Sequence, residues 1–317
     1  CVLAPTVKNV NLLTVNNILN ILQQASPRMF LALGVAGLIL LAGTDLSIGR
    51  MVGMGITAGT IVMHKGINTG GVFGHIFDFT GLPVAARVFL ALVVCIVLCT
   101  IFTTIAGFFT AKFKMHPFIS TMSTMLIIFG LATYATKGVS FGGIESSIPD
   151  MIIPKLGPDG GTKFPTIILW AVAAVIVVWF IWNKTTFGKN MFALGANEEA
   201  ARVSGVNVFA TTIAVFALAG AMYGWAGFVE SARITSNTAN TGVNYELDAI
   251  AACVIGGVSF VGGIGKISGI VIGVLMLRLI FVALPLVGMD QNLQYALKGG
   301  IILFACALDM RKYLVKK

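Results

Sequence analysis

The residues of this 317-residue chain whose types and spacing could do chemistry fall into a few small groups. Asp45, Ser47 and Arg50 stand between two apolar runs with almost no room for a loop, and Tyr245, Glu246 and Asp248 open a later, shorter run. An ionisable group close to membrane depth is a candidate functional site by default. Asp45 or Ser47 can equally cap the helix that follows, and Glu246 and Asp248 pose the same choice. Hydrogen-bonding groups of this kind beside an aromatic face such as Tyr245 would suit a neutral, hydroxyl-rich ligand. Arg278 lies near the middle of an apolar run, where exposure to lipid is costly. It should therefore face the bundle or a neighbouring subunit.

The remaining signals point away from catalysis. The stretch GGIGKIS at 262–268 has Lys266 after Gly265, but Phe260 stands where a phosphate loop needs its first glycine. Ile267 stands where Ser or Thr should hold magnesium, and Ser268 takes the last glycine position of a dinucleotide fingerprint. His64, His75 and His116 are scattered and assemble no triad or metal-binding helix. Cys95 and Cys99 share a helix face, yet neither His nor carboxylate lies near them in sequence to complete a metal site. No catalytic residue, no metal and no cofactor bound by this chain are expected.

The elements that position these residues are set by composition. Hydrophobic residues make up 57% of the chain and charged residues 10%, with a mean hydropathy of +0.95. A soluble domain would carry about a quarter charged residues. The 37 glycines fit membrane helices, whose backbones approach closely at small residues. The net charge of +9 is read as basic helix ends meeting anionic lipid, and no basic cluster with interleaved aromatics suggests nucleic acid. Four of the five cysteines, Cys95, Cys99, Cys253 and Cys306, fall in apolar runs and read as small buried hydrophobes.

After an amphipathic lead, apolar runs stand at 29–43, 50–64, 84–111, 116–136, 165–183, 208–229, 247–264, 267–287 and 293–310. The expectation is an all-α polytopic transmembrane helical bundle of about nine spans, with residues 1–317 as a single membrane domain. The runs 50–64 and 247–264 are short or glycine-broken, which membranes tolerate where a segment lines a cavity or is buried in protein. Arg311, Lys312, Lys316 and Lys317 argue for a cytoplasmic C-terminus. Counting back places 184–207 inside and the loops 137–164 and 230–246 outside.

The segment 184–207 reads as a docking element. Asn197 can cap a helix of about two turns, Glu198 and Glu199 suit its positive end, and Gly205 can supply a left-handed stop. Ala200, Ala201 and Ser204 would let another surface approach, with Glu198, Glu199 and Arg202 available for orientation. The same residues read alone also describe an ordinary solvated loop, and the stretch by itself favours that reading.

Four strings decide between the two. GTDLSIGR at 43–50, HPFISTMSTM at 116–125, WNKTTFGKNMFALGANEEAARVSGVNV at 182–208 and YELDAIAACVIGGVSFVGGIGKISG at 245–269 occur in the order of a known family. Together they resemble the permease subunits of the ribose/galactose/xylose class of bacterial ABC sugar importers, within it the galactose/methyl-galactoside branch. The resemblance covers nearly the whole chain. It implies a multi-pass protein of the bacterial inner membrane working as a homodimer, with a cytoplasmic ATPase that uses ATP and Mg and a periplasmic sugar-binding protein. It further implies that Gly195, Asn197, Glu198, Glu199, Ala200, Ala201, Arg202 and Gly205 form the helix that couples to the ATPase, with Ser204 beside them. Asp45, Ser47, Tyr245, Glu246 and Asp248 become candidates for the sugar path. Family members carry one more N-terminal span, so the chain reads as incomplete at its front. Ribose or xylose as cargo, or a secondary transporter driven by an ion gradient at Asp45, Glu246 and Asp248, are the alternatives.

Overall fold

The computed structural model describes residues 14–66, 78–139, 141–157, 163–238, 240–286 and 288–314. Cys1, His75, Lys316 and Lys317 lie outside the described residues.

Each of the nine apolar runs hosts a helix. In chain order these are α1 (Val15–Leu40), α2 (Ile48–Met63), α3 (Val84–Phe113) and α4 (Pro117–Thr136). After the small elements β1 (Phe141–Gly142), α5 (Ser147–Ile152), β2 (Lys155–Leu156) and β3 (Phe164–Pro165) come α6 (Ile167–Lys184), α7 (Thr186–Ala196) and α8 (Glu198–Val203). The chain closes with α9 (Val208–Ile234), β4 (Ser236–Asn237), α10 (Tyr245–Ile255), α11 (Ile267–Leu286) and α12 (Gln291–Leu314). Among the described residues, six helices are long and apolar enough to cross a membrane: α3, α4, α6, α9, α11 and most of α12. The lead is continuous with the first run, because Thr14 accepts from the Asn17 amide and starts α1 well before residue 29.

Helices α1 and α9 form the centre. From Ala25 to Leu40 nearly every α1 side chain is buried, and α9 packs on α1, α2 and α3 through bare glycines. A Cβ on Gly224 would lie 2.4 Å from the Cys95 carbonyl oxygen, and one on Gly227 would lie 2.9 Å from the Gly55 Cα. Lipid supplies no hydrophobic drive between helices, so contact at this range is what holds them. Helix α3 shows the outcome on its two faces. Ala91, Cys95, Cys99 and Thr103 are buried, while Phe89, Val93, Val97, Ile101 and Ile105 recur every four residues on the exposed side. The thiols of Cys95 and Cys99 donate to the carbonyls of Gly55 and Met51 at 3.1 and 3.3 Å, in keeping with buried, packing cysteines.

Three expected boundaries change. The run 247–264 is not one span: α10 stops at Ile255, Gly257 takes φ +81°, and Ser259 bonds back to Ile264 across a tight turn. Residues 230–234 are the last turn of α9 rather than loop. The stretch 184–207 holds a second helix, α7, whose start is capped when the Thr185 hydroxyl accepts from the Gly188 amide at 3.2 Å. Each difference is set by backbone hydrogen bonding at a cap or glycine, which mean hydropathy does not register.

Candidate functional site

The docking element is built by successive caps. Asn197 Oδ1 accepts from the Ala200 amide at 3.0 Å and starts α8, and Asn207 Oδ1 accepts from the Ala210 amide at 2.9 Å and starts α9. Between them Gly205, at φ +85°, ends α8: its amide donates to the Arg202 carbonyl and the Val206 amide to the Ala201 carbonyl, both at 3.0 Å. This is the two-bond stop that a left-handed glycine permits. An isolated six-residue helix would not persist in water, so these caps and the neighbouring packing hold it.

Glu198, Glu199, Ala200, Arg202 and Ser204 are exposed, whereas Ala201 is 3% exposed and turned into the chain's own bundle. Ala201 is therefore an anchor and not a partner-facing residue. Arg202 and Glu198 pair with each other at 2.6 Å across one helical turn. The sequence reading missed Val203, which is 88% exposed and is the barest large apolar side chain of α8. Its signal was present: a β-branched hydrophobe between charged and small residues, one position before the helix stop.

The element is fixed to the bundle at Gly195. A Cβ there would lie 1.9 Å from the Leu40 carbonyl oxygen and 2.9 Å from the Gly263 amide nitrogen, and that amide donates to the same Leu40 oxygen at 2.9 Å. Three segments thus meet at one carbonyl: the end of α1, the end of α7 and the turn after α10. Helix α12 reaches the same face, because Asp309 Oδ2 accepts from Ser259 Oγ at 3.0 Å and the Phe260 amide at 3.1 Å. The end of α12 that carries Arg311 therefore lies on the side of α7 and α8. A cavity of about 500 Å³ opens beside α8, with Lys114, Glu199, Arg202, Thr212 and Phe216 among its walls.

The five path candidates fall into two groups. Asp45 and Ser47 are buried together where the chain unwinds between α1 and α2, and Asp45 Oδ1 accepts from the Ser47 amide and hydroxyl at 2.7 and 2.6 Å. They form a tight turn that leads into α2, and neither side chain makes a capping bond to the helix. Glu246 lies against Gly49 at the start of α2, where an added Cβ would come within 2.5 Å of its Oε2. Tyr245 and Asp248 face the other way, into a set of ion pairs in which buried carboxylates meet half-buried cations. The Tyr245 hydroxyl donates to Glu230 Oε1 at 3.3 Å, and Asp248 pairs with Lys298 at 2.5 Å.

A crevice between α2, α4 and the segment after α9 is lined instead by Arg50, Thr57, Phe129, Asn237 and Thr241. The amide of buried Asn237 donates to the Thr57 hydroxyl and ties the segment after α9 to α2, while Ser236, Thr238 and Asn240 around it are exposed. Arg87 donates to the carbonyls of Val62 and His64 and pairs with Glu145 at 2.6 Å, which ties Glu145 to α2 and α3. Arg278, left without a named partner by the sequence, donates to Gln24 Oε1 at 2.6 Å.

The model of a family described as "branched-chain amino acid transport system / permease component" matches residues 17–306. A galactose/methyl galactoside import permease protein of Treponema pallidum is 51% identical over 321 residues. That match takes in 100% of this chain, which spans only 60% of the relative's length. The protein of the same name from Escherichia coli K12 is 43% identical, covering 96% of this chain and 89% of its own. The ribose import permease protein of that organism is 34% identical over 95% of this chain and 88% of its own. No solved structure matches.

Proposed function

The chain belongs to the permease-component family whose model spans residues 17–306, and from its likeness to sugar import permeases we propose that it forms the membrane path of an ATP-driven importer for galactose or methyl galactoside. It is a multi-pass protein of the bacterial inner membrane and a transporter component rather than an enzyme. The finer reading is that two copies form the pathway, a separate cytoplasmic ATPase grips α8, and a periplasmic binding protein delivers sugar to the 137–164 and 235–246 segments.

The observation that carries this reading is the junction at Gly195. Helix α8 presents Val203 and charged neighbours outward, yet its base is locked without slack to α1 and to the turn after α10. A displacement imposed on α8 must then move α1, which leads directly into the Asp45–Ser47 break. A motor can shift the equilibrium between inward-open and outward-open forms only through contacts that differ between them. Helix α8 is the element in position to make such contacts.

ATPase activity of the reconstituted complex, titrated with binding protein loaded with galactose, ribose or xylose in turn, tests the assignment. Stimulation by galactose-loaded protein is expected. Stimulation by ribose alone would reassign the cargo. Sugar uptake that collapses with the ion gradient while ATP is held constant would replace the importer with a secondary carrier.

A further inference from the structure

Helix α8 is too small to hold a motor by itself. Its six residues make it about 9 Å long and 10–12 Å across, a footprint on the order of 100 Å², where a stable interface takes about 800 Å² from each partner. More of the same face must therefore take part in docking. The cavity of about 500 Å³ beside α8 adjoins it directly, because Glu198, Glu199 and Arg202 belong to α8 and to the cavity wall alike.

The cavity is divided by depth. Leu38, Leu194 and Phe216 line it from α1, α7 and α9 and are buried, so they form its floor. Lys114, Glu198, Glu199 and Arg202 line it as exposed residues and stand at its mouth. On the wall, Thr110 Oγ1 is already bonded to the Ala106 carbonyl at 2.9 Å and to Ser120 Oγ at 2.7 Å. A hydroxyl-rich sugar needs several convergent donors and acceptors, so this floor suits an apolar group better.

The mouth asks for charge as well. Arg202 is paired with Glu198 at 2.6 Å, but Lys114 and Glu199 form no ion pair among the described residues. They reach the cavity from different elements, the turn between α3 and α4 and the first turn of α8. A lipid chain would cover the floor and leave both charges unanswered. A protein segment carrying a large apolar side chain between an acidic and a basic residue answers all three.

We propose that this cavity is a socket for the ATPase, which seats one large apolar side chain on Leu38 and Phe216 and sets opposite charges against Lys114 and Glu199. The proposal rests on the reading that a separate ATPase grips α8. It adds to that grip a second point, held directly by the ends of α1 and α3 and the start of α9. A helix tip alone transmits force along one line, whereas two points let the motor turn the helix ends as well as push them.

The test uses the permease coexpressed and purified with its ATPase. Ala111→Trp and Thr212→Trp each fill the cavity from a wall that α8 does not supply. Both are expected to lower the ATPase retained on size-exclusion chromatography by tenfold or more, with the melting temperature of the isolated permease unchanged. If one variant does not fold, the other carries the comparison. A photo-crosslinking residue placed at Met115, on the cavity wall, should join the permease to the ATPase and leaves the cavity unfilled. Full retention of the ATPase by a folded filled variant would overturn the proposal, as would a crosslink only to lipid or only to a second permease chain. Val203→Asp separates this from the reading beneath it. Loss of the ATPase from Val203→Asp but not from the filled variants removes the socket and keeps docking at α8, while retention by all of them removes both.

Discussion

Gly195 lies so close to Leu40 that a Cβ on the glycine would stand 1.9 Å from the leucine's carbonyl oxygen. No rotamer change relieves such a clash, because the obstacle is backbone and already accepts the Gly263 amide. Gly195→Ala is therefore expected to cost about 1–3 kcal/mol or more, the range for forced overpacking. It should also loosen α7 and α8 from α1. Thermal unfolding of the purified variant, followed by its sugar uptake, checks both effects. A melting temperature equal to wild type would show that the junction has slack.

The tip of α8 should behave in the opposite manner. Val203 is 88% exposed, so Val203→Asp is expected to leave folding stability within about 0.5 kcal/mol of wild type. If the ATPase seats on this residue, placing a charge in that contact should weaken copurification of the ATPase and lower uptake by tenfold or more, on the order of an interface anchor. Unchanged association would remove Val203 from the docking surface.

Gly205 separates conformation from contact. An added Cβ would meet nothing within 4 Å, yet the residue sits at φ +85°. Gly205→Ala should therefore cost about 1–2 kcal/mol through backbone strain alone. Hydrogen exchange should be faster at the amides of Gly205 and Val206, which close the end of α8, with the rest of the bundle unaffected.

Asp309 ties α12 to the turn beyond α10. Asp309→Ala leaves the Ser259 hydroxyl and the Phe260 amide without this acceptor, a loss of about 1–3 kcal/mol per buried group. Asp309→Asn keeps a carbonyl acceptor and should lose less. Limited proteolysis within α12 ranks the three proteins, and equal cleavage of Asp309→Ala and wild type would refute the clamp.

Glu230 is fully buried among Arg28, Arg233 and Tyr245. Glu230→Ala should be severely destabilising, by about 3–5 kcal/mol, since it strands two guanidinium groups. Glu230→Gln, which preserves an acceptor, should retain more folded protein on size-exclusion chromatography. Equal yields would mean that the carboxylate's charge and bonds contribute little.

What the amino-acid sequence determined by itself was the solvent and the local punctuation. An apolar run in a chain with so few charges must be helical in lipid, because each backbone group has to be satisfied within its own segment. Asn197 and Gly205 marked the ends of α8 because capping is decided by residues only a few positions apart. The clustering of distant residues was not available in that way. Ser47 revealed its bond to Asp45 by proximity in sequence, but Glu230 with Arg28, Arg278 with Gln24, and Gly195 with Leu40 are brought together only when α1 is enclosed by α9, α10 and α11. The five polar residues chosen for the path divided into two groups for the same reason. Helix rotation decides which face each side chain meets, and that rotation is set by glycine contacts between segments far apart in the chain.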